Sequence, residues 1–197
     1  GQDSLFPRQA GKGAKEWAKK LGVDVVLEEN YPAKQTDFTA LLQKIKAAGA
    51  EGVISNSYFA DAAAQLRQLR EQNINFKLFS STVGPGLPNF PEQVGAPAEY
   101  VLGFSSWEPL PKVLGFPGMQ EFIERYEKRF GEKPNYHAGA TYGSLQVTEA
   151  ALKKAGSFDS EKLRDALATI DVESMFGRYK VDARGMNTRD GLTFQIL

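Results

Sequence analysis

The first half of the chain alternates between helical and extended hydrophobic patterns. Apolar residues at helical spacing predict helices, and short runs rich in Val, Ile, Leu and Phe predict strands. The predicted strands are 23–27, 52–55, 77–80 and 100–104, and the predicted helices are 10–21, 38–45 and 61–72. A predicted helix lies between each pair of consecutive strands up to the strand at 77–80, and a Pro/Gly-rich stretch precedes the strand at 100–104. Antiparallel neighbours would need only a hairpin between them. This alternation predicts an α/β fold with a parallel sheet flanked by helices.

The second half has a different pattern, with three predicted helices and few strands. The first helix carries a regular apolar stripe, made of Met119, Phe122, Ile123, Tyr126 and Phe130. The long helix 136–155 and a third helix over 163–170 follow, and the tail 176–197 predicts two short strands around a turn at 182–185. Because these helices bury apolar faces without strands of their own, they need another surface to cover, either the sheet of the first half or a sheet outside the given sequence.

Composition and charge narrow the class of protein. The chain has 197 residues, with 24 Lys plus Arg balanced by 24 Asp plus Glu, and this neutral balance argues against a nucleic-acid binder. No run is long and apolar enough to span a membrane, and the chain does not open with the basic and apolar regions of a secretory signal. There is no cysteine and only one histidine, so disulfides, thiolate metal sites and cysteine nucleophiles are excluded and neither a metal nor a cofactor is expected.

Candidate chemistry lies directly after the predicted strands, because ligands of an open parallel sheet bind beyond the carboxyl ends of its strands. Hydroxyl groups and aromatic rings are concentrated there, at Ser55–Asp61, Ser80–Thr82 and Ser105–Trp107 as read along the sequence. Short donors and acceptors with a ring beside them suit a small-molecule site. Motifs of hydrolases, phosphate-binding loops and dinucleotide-binding loops do not occur in the sequence. Binding is therefore favoured over catalysis.

Each candidate residue also has a purely structural interpretation. Asp61 opens a predicted helix and can serve as its N-cap. Trp107, beside two prolines, can anchor a loop, and His137, at the start of the long helix, can form a hydrogen-bonding wall of a pocket. Tyr58 is the strongest single candidate for a ligand contact by position alone.

Several runs along the chain resemble the periplasmic solute-binding proteins of the leucine/isoleucine/valine-binding family. The likeness covers nearly the whole chain in the family's order. It rests on the runs Asp-Ser-Leu-Phe-Pro at 3–7, Gly-Ala-Lys-Glu-Trp-Ala at 13–18, Tyr-Pro at 31–32, Thr-Asp-Phe-Thr at 36–39, Ser-Tyr-Phe-Ala-Asp at 57–61, Arg-Gln-Leu-Arg at 67–70, Pro-Asn-Tyr-His-Ala at 134–138, Thr-Tyr at 141–142 and Phe-Gly-Arg-Tyr at 176–179, with Asp182 and Gly185 after it.

The resemblance implies a two-lobed binding protein, not an enzyme, that closes on a small ligand at a hinge. It implies delivery of the ligand to the membrane subunits of an ABC importer, from a periplasmic or extracellular location, with a lipid anchor in a Gram-positive source. It further implies that residues 1–110 form the second lobe without its opening strand, that 111–180 form helices covering the first lobe, and that 181–197 cross the hinge and return as a strand. The first lobe itself is expected to precede this chain.

Carried over by position, the resemblance assigns ligand contacts to Tyr58, Thr82 and His137. Thr82 stands where amino-acid-binding members have a glutamate that pairs with the ligand ammonium. A carboxylic acid, an aromatic acid or an amide is therefore expected as the ligand in preference to an α-amino acid, unless Asp61 supplies the carboxylate that pairs with the ammonium. Trp107 completes the set of candidate contacts. The alternative function is a ligand-sensing domain of a receptor or regulator with the same fold.

Overall fold

The computed structural model describes residues 1–187 and 191–197, and it divides into two compact units. The first unit comprises Gly1–Phe104 with Thr193–Leu197, and the second comprises Ser105–Leu192. Each unit has its own hydrophobic core, so each is described by itself below.

Helices and strands alternate in the first unit, as the hydrophobic pattern predicts. In chain order the elements of the whole chain are α1 (Leu5–Leu21), α2 (Thr39–Ala47), β1 (Gly52–Ser55), α3 (Phe59–Glu71), β2 (Leu78–Ser81), α4 (Phe90–Val94), β3 (Leu102–Ser105), α5 (Pro111–Leu114), α6 (Met119–Phe130), α7 (Tyr136–Ala155), α8 (Ser160–Thr169), β4 (Val172–Ser174), β5 (Gly177–Tyr179) and β6 (Leu192–Gln195). A single 3-10 turn, Ala96–Ala98, lies before β3. The first helix begins five residues earlier than the pattern indicates.

The main sheet has the order β1-β2-β3-β6, and β1, β2 and β3 run parallel. Val53 is paired with Phe79, and Ser55 is paired with Ser81, so these four side chains share one face of the sheet. That face packs with residues of α2 and α3, including Leu42 and Leu66, in the core of the first unit. The predicted α/β fold with a parallel sheet and flanking helices is confirmed.

The predicted strand at 23–27 does not form a ladder in the structure. Val23, Val25 and Val26 are 59%, 48% and 55% exposed. Residues 1–3 make strand-like bonds with other positions, since Tyr31 N donates to Gly1 O at 3.0 Å and Gln2 N donates to Asn56 O at 2.9 Å. Within the part of the chain that the structure describes, residues 23–27 have no neighbouring strand, and an extended segment without a hydrogen-bonded neighbour is not a strand.

The second unit is built from helices and a hairpin. Trp107, Met119, Ile123 and Met175 form one buried cluster, and α7 and α8 pack around a second. The hairpin β4–β5 is antiparallel and pairs Val172 with Tyr179. The three long helices occur where the hydrophobic pattern predicts them. Along the α6 stripe, burial decreases from Met119, which is fully buried, to Phe130, which is 58% exposed.

The tail contains the predicted turn, because Gly185 N donates to Asp182 O at 2.9 Å. The two short strands predicted around the turn are present as β5 and β6, which neighbour β4 and β3 and not each other. Between them, Val181 and Asn187 form an isolated antiparallel bridge. Residues 188–190, over which the prediction continues, lie outside the described residues. No helix in the described ranges has the length and apolar character needed to cross a membrane.

Candidate ligand-binding site

The loops that follow β1 and β2 are hydrogen-bonded to each other at the carboxyl edge of the sheet. Thr82 Oγ1 accepts from Ser57 N at 3.1 Å and donates to Ser57 O at 3.0 Å. Val83 N adds a bond to Ser57 O at 3.2 Å. The side chain of Thr82 therefore lies against the residue that precedes Tyr58, as expected for residues that follow neighbouring parallel strands.

Beneath these loops, a buried layer of serine hydroxyls fixes the ends of the strands. Ser55 Oγ donates to Gln65 Oε1 at 2.6 Å and lies 3.0 Å from Ser57 Oγ, which in turn lies 3.0 Å from Ser81 Oγ. Ser55, Ser57 and Ser81 are 6%, 0% and 1% exposed. Because these hydroxyls are buried and make their hydrogen bonds inside the protein, their role is to hold the two loops in place.

Tyr58 stands at this edge as the N-cap residue of α3, with 40% of its surface exposed. Its ring centroid lies 6.1 Å from that of Phe6, which is in the first turn of α1 and 49% exposed. The two rings form an open aromatic pair beside the strand ends. Phe6 was not predicted as a site residue, because the predicted first helix begins at residue 10 and leaves Phe6 outside it, whereas α1 begins at Leu5.

The N-termini of α1 and α3 meet at the aromatic pair. Their N-cap residues, Ser4 and Tyr58, make no side-chain cap hydrogen bond. The first backbone N–H groups of a helix lack partners within the helix and carry the positive end of its dipole. The first turn of α3 already holds the carboxylate of Asp61, whereas the first turn of α1 carries no acidic side chain and so favours an anionic group on a bound molecule.

Asp61 is turned into the protein instead of capping α3. It lies in the first turn of α3, 7% exposed, and its Oδ2 accepts from Gln2 Nε2 at 2.9 Å and from Tyr31 OH at 3.0 Å. Burial, followed by the nearby negative charge of Asp61, raises the pKa of the Tyr31 phenol. The predicted N-cap role is therefore wrong, because the carboxylate points toward residues 2 and 31 and the N-cap position falls at Tyr58.

Trp107 is fully buried in the second unit. Its Nε1 donates to Met175 O at 3.0 Å, and its backbone is bonded to Ser105 Oγ. A Cβ added at Gly139 would lie 2.9 Å from the indole, so α7 packs directly on the ring. The structure therefore gives Trp107 the loop-anchoring role, and a ring with no exposed surface contacts no ligand in this arrangement.

His137 is exposed at the start of α7, where its ring stacks on Tyr136 at 4.1 Å between centroids. Its backbone N donates to the Asn135 cap at 3.0 Å. It belongs to the second unit, so its approach to Tyr58 and Thr82 stays a prediction. Across the described residues there is no group of three His, Asp or Glu side chains able to hold a metal ion.

Comparisons with known proteins identify relatives of this chain. The sequence profile of the family described as periplasmic binding protein matches residues 1–196. The Leu/Ile/Val-binding protein homolog 7 of Brucella suis is 30% identical over 95% of this chain and 49% of its own length, and the amino acid binding protein of Pseudomonas aeruginosa is 30% identical over 84% of this chain and 43% of its own. The chain thus spans about half the length of the curated relatives it matches.

Solved structures show the same fold at lower identity. A solute binding protein from R. palustris, solved with benzoate, has a TM-score of 0.82 at 15% identity and covers 100% of this chain and 54% of its own. The substrate binding protein LivJ of Streptococcus pneumoniae, solved with isoleucine, has a TM-score of 0.77 at 24% identity over 91% of this chain and 51% of its own. The family is one of binding proteins, which confirms the prediction that the chain is not an enzyme. The matched profile and the shared fold together show that this chain belongs to the periplasmic binding protein family.

Proposed function

We propose that this chain is the ligand-binding part of an extracytoplasmic solute-binding protein that serves an ABC importer. The observation that carries the proposal is the aromatic pair of Phe6 and Tyr58, which stands open at the carboxyl edge of the sheet. Ligands of open α/β sheets bind at that edge. The family match supports a role in binding, and the named relatives are amino-acid-binding proteins.

The proposed ligand is a small organic acid with an apolar or aromatic body. The rings of Phe6 and Tyr58 offer an apolar surface, and the N-terminus of α1 beside them, which has no side-chain cap and no acidic residue in its first turn, favours a carboxylate. Thr82 brings a hydroxyl rather than a carboxylate to this edge, and that hydroxyl is already bonded twice to Ser57. A buried ammonium needs a carboxylate partner, so acids without an ammonium fit this edge better than α-amino acids do.

The lobe assignment and the remaining contacts belong to the same proposal. Residues 1–110 are the second lobe, 111–180 are helices that cover the first lobe, and 181–197 cross the hinge. His137 then contributes a contact from the start of α7. Closure of the two lobes on the ligand shifts the population toward a closed state that the membrane subunits recognise.

The test is a titration of the full-length protein with benzoate and with L-isoleucine, followed by calorimetry and by thermal shift. We expect benzoate to raise the melting temperature more than L-isoleucine does. Tyr58→Ala should weaken the binding of benzoate by about 1–2 kcal/mol, the usual effect of removing a packed aromatic contact.

The matched control is Tyr100→Ala, since Tyr100 is 68% exposed and precedes β3, at the amino end of the strands. That variant should bind like the wild type. Equal affinities of the Tyr58→Ala and wild-type proteins for every probe that binds would contradict the proposed site. Tighter binding of L-isoleucine than of benzoate would contradict the proposed ligand class and leave the site itself standing.

A further inference from the structure

We propose that Asp61 is a positioning residue that fixes the aromatic pair of Phe6 and Tyr58 through its hydrogen bonds to Gln2 and Tyr31. Its importance for ligand binding rests on the proposed function, whereas the positioning itself does not. Asp61 lies three residues after Tyr58 and begins the path of bonds that leads to Phe6.

Asp61 is a buried anion held by neutral donors. It is 7% exposed, and within residues 1–187 and 191–197 it forms no ion pair. Its oxygen Oδ2 accepts from both Gln2 Nε2 and Tyr31 OH, and its place in the first turn of α3 puts it at the positive end of that helix. A buried charge without a cation costs free energy unless its hydrogen bonds are kept, so both donors are held firmly in place.

The bond from Gln2 leads directly to α1. Gln2 Oε1 accepts from Ser4 Oγ at 2.9 Å, and Ser4 is the N-cap residue of α1. Phe6 follows in the first turn of that helix, and its ring meets the Tyr58 ring at 6.1 Å. The carboxylate of Asp61 therefore connects the first turn of α3 with the first turn of α1, where the two rings stand.

The bond from Tyr31 fixes a third segment at the same point. Tyr31 is 4% exposed, and its ring packs edge-on against Phe38 at 4.9 Å. Its backbone is bonded to residues 1 and 3, through Tyr31 N to Gly1 O and Asp3 N to Tyr31 O. Tyr31 therefore holds residues 1–3 from the side opposite to Asn56, and it keeps Gln2 within reach of Asp61.

The experiment uses the full-length protein labelled with 3-fluorotyrosine and observed by fluorine NMR. The chain has seven tyrosines, and the signals of Tyr31 and Tyr58 are assigned with the Tyr31→Phe and Tyr58→Phe variants. Asp61→Asn keeps the shape of the side chain and removes its charge. We expect it to shift both signals in the folded protein, since a loss of stability alone leaves the spectrum of folded molecules unchanged.

Asp37→Asn is the matched control, because Asp37 is an exposed aspartate of the same unit that accepts from Thr39 N at 2.8 Å. It should leave the Tyr58 signal in place. Gln2→Met removes the side-chain donor that connects Asp61 with α1 and leaves Asp61 itself unsubstituted. It should also shift the Tyr58 signal. If Asp61→Asn fails to fold, Gln2→Met decides the question. A Tyr58 signal that stays in place in the folded variants, or that moves equally in Asp37→Asn, would overturn the positioning role.

Titration with benzoate separates this proposal from the proposed function. Asp61→Asn should bind benzoate about twofold to tenfold more weakly, because the neutral amide oxygen holds Gln2 and Tyr31 less strongly than the carboxylate does. If the signals shift while neither Asp61→Asn nor Tyr58→Ala changes any affinity, the proposed function fails and the positioning role stands. If Tyr58→Ala weakens binding while Asp61→Asn neither shifts the Tyr58 signal nor weakens binding, the positioning role fails and the proposed function stands.

Discussion

The hydroxyl of Thr82 is bonded twice to the backbone of Ser57, although the two residues are 25 positions apart. The hydroxyl accepts from Ser57 N and donates to Ser57 O, so one side chain satisfies both backbone groups of the residue before Tyr58. Thr82 thus fixes the backbone that precedes Tyr58, in addition to any contact that it makes with a ligand.

Thr82→Val keeps the shape of the side chain and removes both bonds. We expect it to lower the free energy of unfolding by about 1–3 kcal/mol, because Ser57 N loses its partner and Ser57 O keeps only the bond from Val83 N. Thr82→Ser retains the hydroxyl and should cost about 0.8 kcal/mol or less, the value of one methyl group. Urea unfolding of the three proteins measures the difference, and equal stability of the Val and Ser variants would show that the two bonds contribute nothing.

Trp107→Phe should destabilise the chain by about 1–3 kcal/mol, since it leaves a buried carbonyl without its donor and opens space in the core. The bond at stake joins Trp107 Nε1 to Met175 O at 3.0 Å, across 68 residues of sequence. Trp17→Phe is the control, because Trp17 is 60% exposed and its replacement should stay within about 0.5 kcal/mol of the wild type. Denaturant midpoints report both effects, and similar losses for the two tryptophans would contradict the buried role of Trp107.

Glu108 should make the stability of the chain fall as the pH rises. Burial raises the pKa of its carboxyl group, a hydrogen bond from Ser105 opposes the rise only in part, and its Oε1 is enclosed with no hydrogen-bond partner among the described residues. When the pKa is higher in the folded than in the unfolded protein, the unfolded state loses its proton first. Stability is then complete below the ordinary glutamate pKa of about 4.3 and declines until the pH passes the folded value.

Glu108→Gln should remove this decline, so its stability relative to the wild type should improve between about pH 4 and pH 7. Glu149→Gln is a control of opposite sign, because the hydrogen bond and charge of Lys153 hold the pKa of Glu149 below its ordinary value. Its stability relative to the wild type should worsen as the pH rises toward the ordinary glutamate pKa of about 4.3, and should stay level above it. Urea unfolding at several pH values gives the slopes, and a Glu108→Gln slope identical to that of the wild type would refute the assignment.

The sequence by itself determined the alternation of helices and strands and the position of Tyr58 at the carboxyl edge of the sheet. Apolar spacing reports which neighbours in the chain share a buried face, and that information is local. It was sufficient for β1, β2 and β3, each of which lies within two residues of its predicted position, and for the existence of the longer helices. It did not predict the short helices α4 and α5, and it placed the start of α1 five residues too late. Tyr58 could be identified for the same reason, because the end of a parallel strand fixes the edge at which the next residues emerge.

Only the tertiary structure decided which strands and which side chains are partners. Residues 23–27 have a strand pattern, but a ladder requires a neighbouring backbone, and the local pattern cannot show whether one is there. From the sequence Asp61 is a candidate helix cap, but in the structure it accepts from Gln2, 59 residues away. Trp107 is a candidate ligand contact, but in the structure its N–H donates to Met175 O. Phe6 joins the site through the meeting of two helix ends. These contacts join residues far apart in the chain, and their free energy depends on burial and partners that hydrophobic periodicity does not encode.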